Sequence, residues 1–243
     1  MKPFLLLATR AEDGPADEEY ALFRRFAGLS EDELVRVRME ATPLGDLHLD
    51  DWSGIFVGGG PFNASDPLER KSPVQRRVEA EFDTLLDEVV ARDFPFLGAC
   101  YGIGTLGTHQ GAVIDRTYGE PISVVDLRRT PAGTTDPLLA EMPDEFTAFV
   151  GHKEAISALP RSATLLVSGI ACPVQMFRVG THVYATQFHP ELDVDGIVTR
   201  IHAYADHGYF AADELDLTLA AVRRMPVTHT GRILRAFVER YAR

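Results

Sequence analysis

The chain has 243 residues, 45% of them hydrophobic and 25% charged, with a net charge of −12. That length predicts one large buried core, and the acidic balance repels phosphate backbones and argues against nucleic acid as a partner. The two cysteines, Cys100 and Cys172, form neither a Cys-x-x-Cys pair nor a disulfide framework, which predicts a reducing, cytoplasmic setting.

In chain order, PFLLLA (3–8) is a short apolar run bounded by charge and reads as a buried strand, too short for a secretory segment. DEEYALFRRFAGL (17–29) reads as a helix, and LVRVRME (34–40) alternates apolar and basic residues as a strand does. GIFVGGG (54–60) is a strand running into glycines. A helix is predicted over 73–91, capped by Ser72 and opened by Pro73, with Val74, Val78, Phe82, Leu85, Leu86, Val89 and Val90 on one face. PFLGAC (95–100) is the next strand, and 101–110 opens another helix. GAVI, ISVVDL, EFTAFVGH, ATLLVSG, CPVQMFRVG and HVYATQFHP then follow as strands, with TPAGTTDPL (130–138) read as a surface loop. GRILRAFVERYAR at the end is helical, with Ile233, Leu234, Phe237, Val238 and Tyr241 on one face. A βαβα opening predicts a mainly parallel sheet with helices on both sides, and no apolar stretch approaches the ~20 residues of a membrane span.

GACYGIGTLG (98–107) admits two readings. Gly102, Gly104 and Gly107, with Asp126 further on, have the spacing of a dinucleotide-binding loop. Against that reading, three strands precede the loop and the crossover to ISVVDL is interrupted. Alternatively, Gly98 and Gly102 bracket Cys100 on a tight strand-to-helix turn, where the helix N-terminus favours a thiolate. A cysteine nucleophile needs a base and a group to orient that base. His48, His109, His202, His207 and His229 sit in polar or helical contexts and read as surface residues, whereas His152 and His189 follow strands. His189 lies in QFHPE, where Pro190 stiffens the turn and the Glu191 carboxylate is close enough to orient the ring. GGGP (58–61) follows the third strand and offers backbone N–H groups for an oxyanion, with the N–H of Tyr101 as second donor.

GGGP, GACYG and QFHPE, in that order, resemble the class I (triad) glutamine amidotransferases, closest to the amidotransferase module of GMP synthetase, over about residues 1–195. The resemblance implies a flavodoxin-like three-layer α/β sandwich. It also implies hydrolysis of the γ-amide of glutamine through a γ-glutamyl thioester, with release of ammonia. Cys100 is then the nucleophile, His189 the general base and acid and Glu191 its orienting carboxylate, while Gly60, with Gly59 nearby, and Tyr101 form the oxyanion hole. Gly151 and His152 fall where the family lines its glutamine pocket. The family pattern Cys-x-Gly-x-Gln departs at its last position, which is Gly104 here and which in the family helps to hold substrate. That departure leaves a related γ-glutamyl bond as an alternative target, and a non-catalytic regulatory protein as a second. The expected substrate is a small molecule, with no cofactor, metal or membrane partner. Nothing resembles an ATP-binding synthetase module, so a separate synthetase chain is the expected ammonia acceptor if the protein is not a free-standing hydrolase. Residues 196–243 read as a helical extension packed on the same domain, covering its edge or making a homo-oligomer contact.

Overall fold

The computed structural model describes residues 2–204 and 215–243. Its strands are β1 (Phe4–Ala8), β2 (Leu34–Arg38), β3 (Ile55–Val57), β4 (Phe96–Ala99), β5 (Val113–Asp115), β6 (Glu120–Arg129), β7 (Glu145–His152), β8 (Ala155–Ala158), β9 (Ala163–Gly169), β10 (Met176–Val179) and β11 (Val183–Thr186). Its helices are α1 (Asp13–Ala27), α2 (Pro73–Ala91), α3 (Tyr101–His109), α4 (Pro131–Thr135), α5 (Val194–Ala203), α6 (Leu215–Arg224) and α7 (Gly231–Tyr241). The large sheet runs β2-β1-β3-β4-β11-β10-β9-β6-β7, and β5 pairs with β8 beside it. The five strands from β2 to β11 are parallel, and the four beyond them are joined antiparallel.

Alternation along β1 sorts its side chains between two cores. Phe4 and Leu6 pack with Phe23 of α1, Phe56 of β3 and Phe237 of α7 on one face. Leu5 and Leu7 pack with Val78 and Phe82 of α2 and with Ile103 and Leu106 of α3 on the other. Strands covered on both faces must be apolar throughout, which is why β1 and β3 are fully buried runs. The helices after residue 195 are integral to this packing: Phe237 lies 5.0 Å, centroid to centroid, from Phe56, and α6 supplies Leu219 and Val222 to a third cluster with Ile197 and Ile201 of α5. No helix among the described residues is long and apolar enough to cross a membrane.

The segment 130–138 is not a surface loop. Thr130 caps α4 by accepting the N–H of Gly133, and Asp136 caps a 3₁₀ turn over Pro137–Leu139. Gly133, Asp136, Leu138 and Leu139 are buried. The caps Thr130 and Asp136, and Pro131 and Pro137 after them, are helix-start residues.

Candidate active site

The site lies at the carboxyl ends of neighbouring parallel strands, the place where an open α/β sheet leaves a crevice. β4 and β11 are adjacent, with Ala99 opposite Thr186, and the N–H of Cys100 donates to Thr186 O at 2.8 Å. Cys100 therefore leaves the sheet beside the turn that carries His189. That turn is tied down in its own right, because the N–H of His189 donates to Phe149 O of β7 at 3.0 Å.

Cys100 has φ 52° and ψ −89°, a backbone conformation that costs a side-chain-bearing residue energy and that persists where surrounding structure enforces it. The enforcement comes from close packing between strand and helix. A methyl group on Gly98 would stand 2.8 Å from the Gly102 Cα, so the turn closes because both residues are glycine. Cys100 is half-buried, at the N-terminus of α3.

His189 lines the same cavity as Cys100 and feels the sulfur's charge, and its Nδ1 lies 2.8 Å from Glu191 Oε1. Burial pulls the ring's pKa down, but the Glu191 carboxylate and the Cys100 sulfur override it and raise the pKa to about 9. Burial pushes the Glu191 carboxyl up, and the opposing charges of His189 and Arg200 hold it well below the usual range. The sequence pattern missed the rest of this polar network. Arg200 Nη2 donates to Glu191 Oε1 at 2.9 Å and to Glu19 Oε1 at 3.2 Å, and Arg10 Nε donates to the same Glu19 oxygen at 3.0 Å. Arg10, Glu19, Glu191 and Arg200 are all at most 5% exposed, so each charge needs its partners.

The glycine loop 58–60 is shaped by this network. A methyl group on Gly58 would meet Glu19 Oε2 at 2.4 Å, one on Gly59 would meet Arg10 Nη2 at 2.7 Å and His189 Cε1 at 2.8 Å, and one on Gly60 would meet Thr9 Oγ1 at 2.0 Å. The N–H of Gly59 donates to Glu19 Oε1 at 3.2 Å, so it is not available to an oxyanion. Gly60 and Tyr101 both line the cleft with Cys100. The Tyr101 side chain is packed between Phe62 and Phe82.

The cleft is further lined by Gly104, Gly151, His152, Glu154 and Gln187. His152 does not present a free ring nitrogen to it: Nδ1 lies 2.8 Å from Glu154 O and Nε2 lies 2.9 Å from Glu120 Oε2. Beside Gly104, a methyl group would rest 3.5 Å from Ala64 Cβ and 3.6 Å from Glu154 Oε1. The Glu154 carboxylate accepts the N–H groups of Ala64 at 2.6 Å and Ser65 at 2.8 Å and so braces the cleft wall. Gln187 was not singled out in the sequence, yet it is buried, and its Oε1 has no hydrogen-bond partner among the described residues. Its place just past the end of β11, two residues before His189, was the signal available.

A family description, glutamine amidotransferase class-I, matches residues 19–205. The chain belongs to this family. Among its relatives, a glutamine-hydrolysing GMP synthase subunit from Thermoplasma acidophilum is 29% identical over 153 residues, 60% of this chain and 66% of that protein. The glutamine-hydrolysing GMP synthase of Streptomyces avermitilis is 28% identical over 152 residues, which covers 62% of this chain but 26% of the relative. The chain thus spans just under two thirds of one relative and about a quarter of the other. Among solved structures, a glutamine amidotransferase from Thermotoga maritima superimposes with a TM-score of 0.79 at 23% identity, covering 99% of this chain and 98% of its own. One from Methylobacillus flagellatus gives 0.71 at 19% identity, covering 100% and 96%. The same α/β architecture is therefore shared at low identity.

Within this amidotransferase fold the dinucleotide reading fails. Gly102, Gly104 and Gly107 are buried inside α3, and Asp126 is exposed on β6, separated from β4 by β11, β10 and β9. Of the histidines read as surface residues, His48 and His202 are exposed, His109 and His229 are half-buried, and His207 lies outside the described residues. Glu120, His152 and Cys172 form a separate buried group with donor atoms within 4.8 Å of one another. Glu120 Oε2 there is already held by His152 and by Gln175 Nε2 at 2.7 Å. Burial and the Glu120 carboxylate push the Cys172 thiol up to about 12.

Proposed function

We propose that this amidotransferase hydrolyses the γ-amide of glutamine through a γ-glutamyl thioester. The observation that carries the reading is the strained Cys100 sharing one cavity with a buried His189 that is itself paired with Glu191. The Cys100 sulfur, its proton already held by His189, attacks the amide carbon, and the oxyanion faces the N–H groups of Gly60 and Tyr101. His189 passes the proton to the departing nitrogen, which leaves as ammonia. Water then attacks the thioester, giving one proton to His189, which returns it to the sulfur as glutamate is released. Gly104, Gly151 and His152 line the acyl side of the cleft. That the Thermoplasma relative is named as one subunit of its synthase supports a separate synthetase chain as the consumer of ammonia here. Intact-protein mass spectrometry after incubation with a glutamine-mimicking diazoketone tests the reading. One adduct, absent from Cys100→Ala, is expected; no adduct on the folded wild-type protein refutes it.

A second reading, a γ-glutamyl bond other than that of free glutamine, is favoured by Gly104, where the family pattern has the glutamine that helps to hold substrate. A second cavity lies beside the cleft. It shares Gly60, Cys100 and Gly151 with the cleft but is lined by His189, Arg10, Ile122, Ile197, Arg200 and Tyr204. His189 protonates the leaving nitrogen, so this is the leaving-group side. A higher kcat/KM for an N-substituted γ-glutamyl amide than for glutamine would select this reading.

A further inference from the structure

The Nδ1 atom of His189 has two suitors. Glu191 Oε1 lies 2.8 Å away and Arg200 Nη1 lies 2.9 Å away. An imidazole nitrogen has one in-plane position, holding either a proton or a lone pair. With a proton there, Nδ1 donates to Glu191 and an arginine N–H points at another N–H. Without it, Nδ1 accepts from Arg200 and the ring's remaining proton sits on Nε2. The two neighbours therefore favour different protonation states of the same ring.

Arg200 is also joined to the glycine loop. Its Nη2 shares Glu19 Oε1 with the N–H of Gly59 and with Arg10 Nε, and Gly59 packs directly against His189 Cε1. The ring is held between the loop and the guanidinium, and one carboxylate oxygen anchors both.

We propose that Arg200 is a positioning residue for the base: it competes with Glu191 for Nδ1 of His189, and through Glu19 it fixes the ring against the glycine loop. The inference rests on the reading of Cys100, His189 and Glu191 as the catalytic set. A ring ion-paired on one side with Glu191 and on the other with the Cys100 sulfur would hold its second proton too tightly to release it to a leaving amine. A cation at Nδ1 weakens that hold and brings the ring nearer the range where it serves as both base and acid. The charged and titratable groups facing the ring are Cys100 from the β4–α3 turn, Glu191 from its own turn and Arg200 from α5, with Glu19 of α1 and Arg10 behind them.

The test is an NMR titration of the His189 ring, assigned with His189→Gln, in the wild-type chain, Arg200→Gln, Arg200→Lys and Glu19→Gln. Loss of the cation in Arg200→Gln should raise the titration point by at least ~1 pH unit. Arg200→Lys, which keeps the charge, should return it towards wild type. Glu19→Gln, which leaves both arginines less neutralised, should shift it downwards. Arg200→Gln should also lower kcat at least ~10-fold, a part of the ~10²–10⁴ that acid–base help supplies. KM should hold, because Arg200 does not line the acyl cleft. An unmoved titration in folded Arg200→Gln overturns the inference. If that variant does not fold, an unmoved or upward titration in Glu19→Gln overturns it. Diazoketone labelling of the wild-type chain separates the two levels: no adduct sinks the catalytic reading, whereas labelling with an unmoved titration sinks the role of Arg200 alone.

Discussion

Replacing Cys100 by glycine should make the folded protein more stable than replacing it by alanine, the reverse of the usual order. At φ 52° and ψ −89° the residue lies outside the regions open to a side chain. Such strain costs about 1–3 kcal/mol, and glycine escapes it. Against this, glycine costs about 0.5–1 kcal/mol more chain entropy than alanine. Glycine should therefore lead by up to about 2.5 kcal/mol, with about 1 kcal/mol at the middle of the two ranges, a gap of a few degrees in Tm for a chain of this size, at about 2–4 °C per kcal/mol. Both variants lack the thiol, so the comparison isolates the backbone. Urea and thermal unfolding of the two, side by side, measure it. Alanine equal to or more stable than glycine would refute the claim that this turn stores strain.

The paired charges make stability fall with rising pH. The folded pKa of His189 is about 9 against an ordinary 6.5, so its contribution is complete below about 6.5 and is lost as pH climbs to about 9. The loss is on the order of 3 kcal/mol, and Glu191→Gln should flatten that slope in unfolding titrations. Gly60→Ala should cut kcat by ~10²–10³, as loss of an oxyanion donor does, since its methyl group would force the loop off Thr9; steady-state kinetics near the wild-type rate would remove Gly60 from that role. Gly104→Gln should lower KM for glutamine, because the added Cβ meets its neighbours at ordinary contact distance; an unchanged KM would argue that the cleft does not recognise substrate there.

The parallel half of the fold was legible because β1, β3, β4 and β11 are continuous apolar runs and β2 alternates apolar with basic residues, while Ser72 and Pro73 mark the start of α2 where the structure has it. The short strand β8 was missed. Ala155–Ala158 pairs only with β5, and four residues show too little periodicity to separate from a turn. Cys100, His189 and Glu191 were legible because each sits in a short motif at a strand end. Glu19, Arg10 and Arg200 were not. They come from α1, from the end of β1 and from α5, and in sequence each looks like a charge on a solvated face. Only the packing of α1 and α5 over the glycine loop turns them into buried partners. Gly59 shows the same limit, because a sequence cannot reveal that Glu19 takes its N–H.

The adjacency of β4 and β11 also bears on how the chain acquires its site. Phe96 pairs with Val183 and Ala99 with Thr186, so everything from Cys100 to His182 must be looped out before the central seam closes. Non-local pairings of this kind form slowly, because the loop's entropy is spent before the contacts return it. On a ribosome, residues 1–100 can emerge and begin to collapse while Cys100 still has no histidine beside it. The closing of the seam and the meeting of sulfur and imidazole are then a single event. Recovery of thiol reactivity during refolding should keep time with completion of the sheet, and a chain halted before residue 183 carries a cysteine without its base.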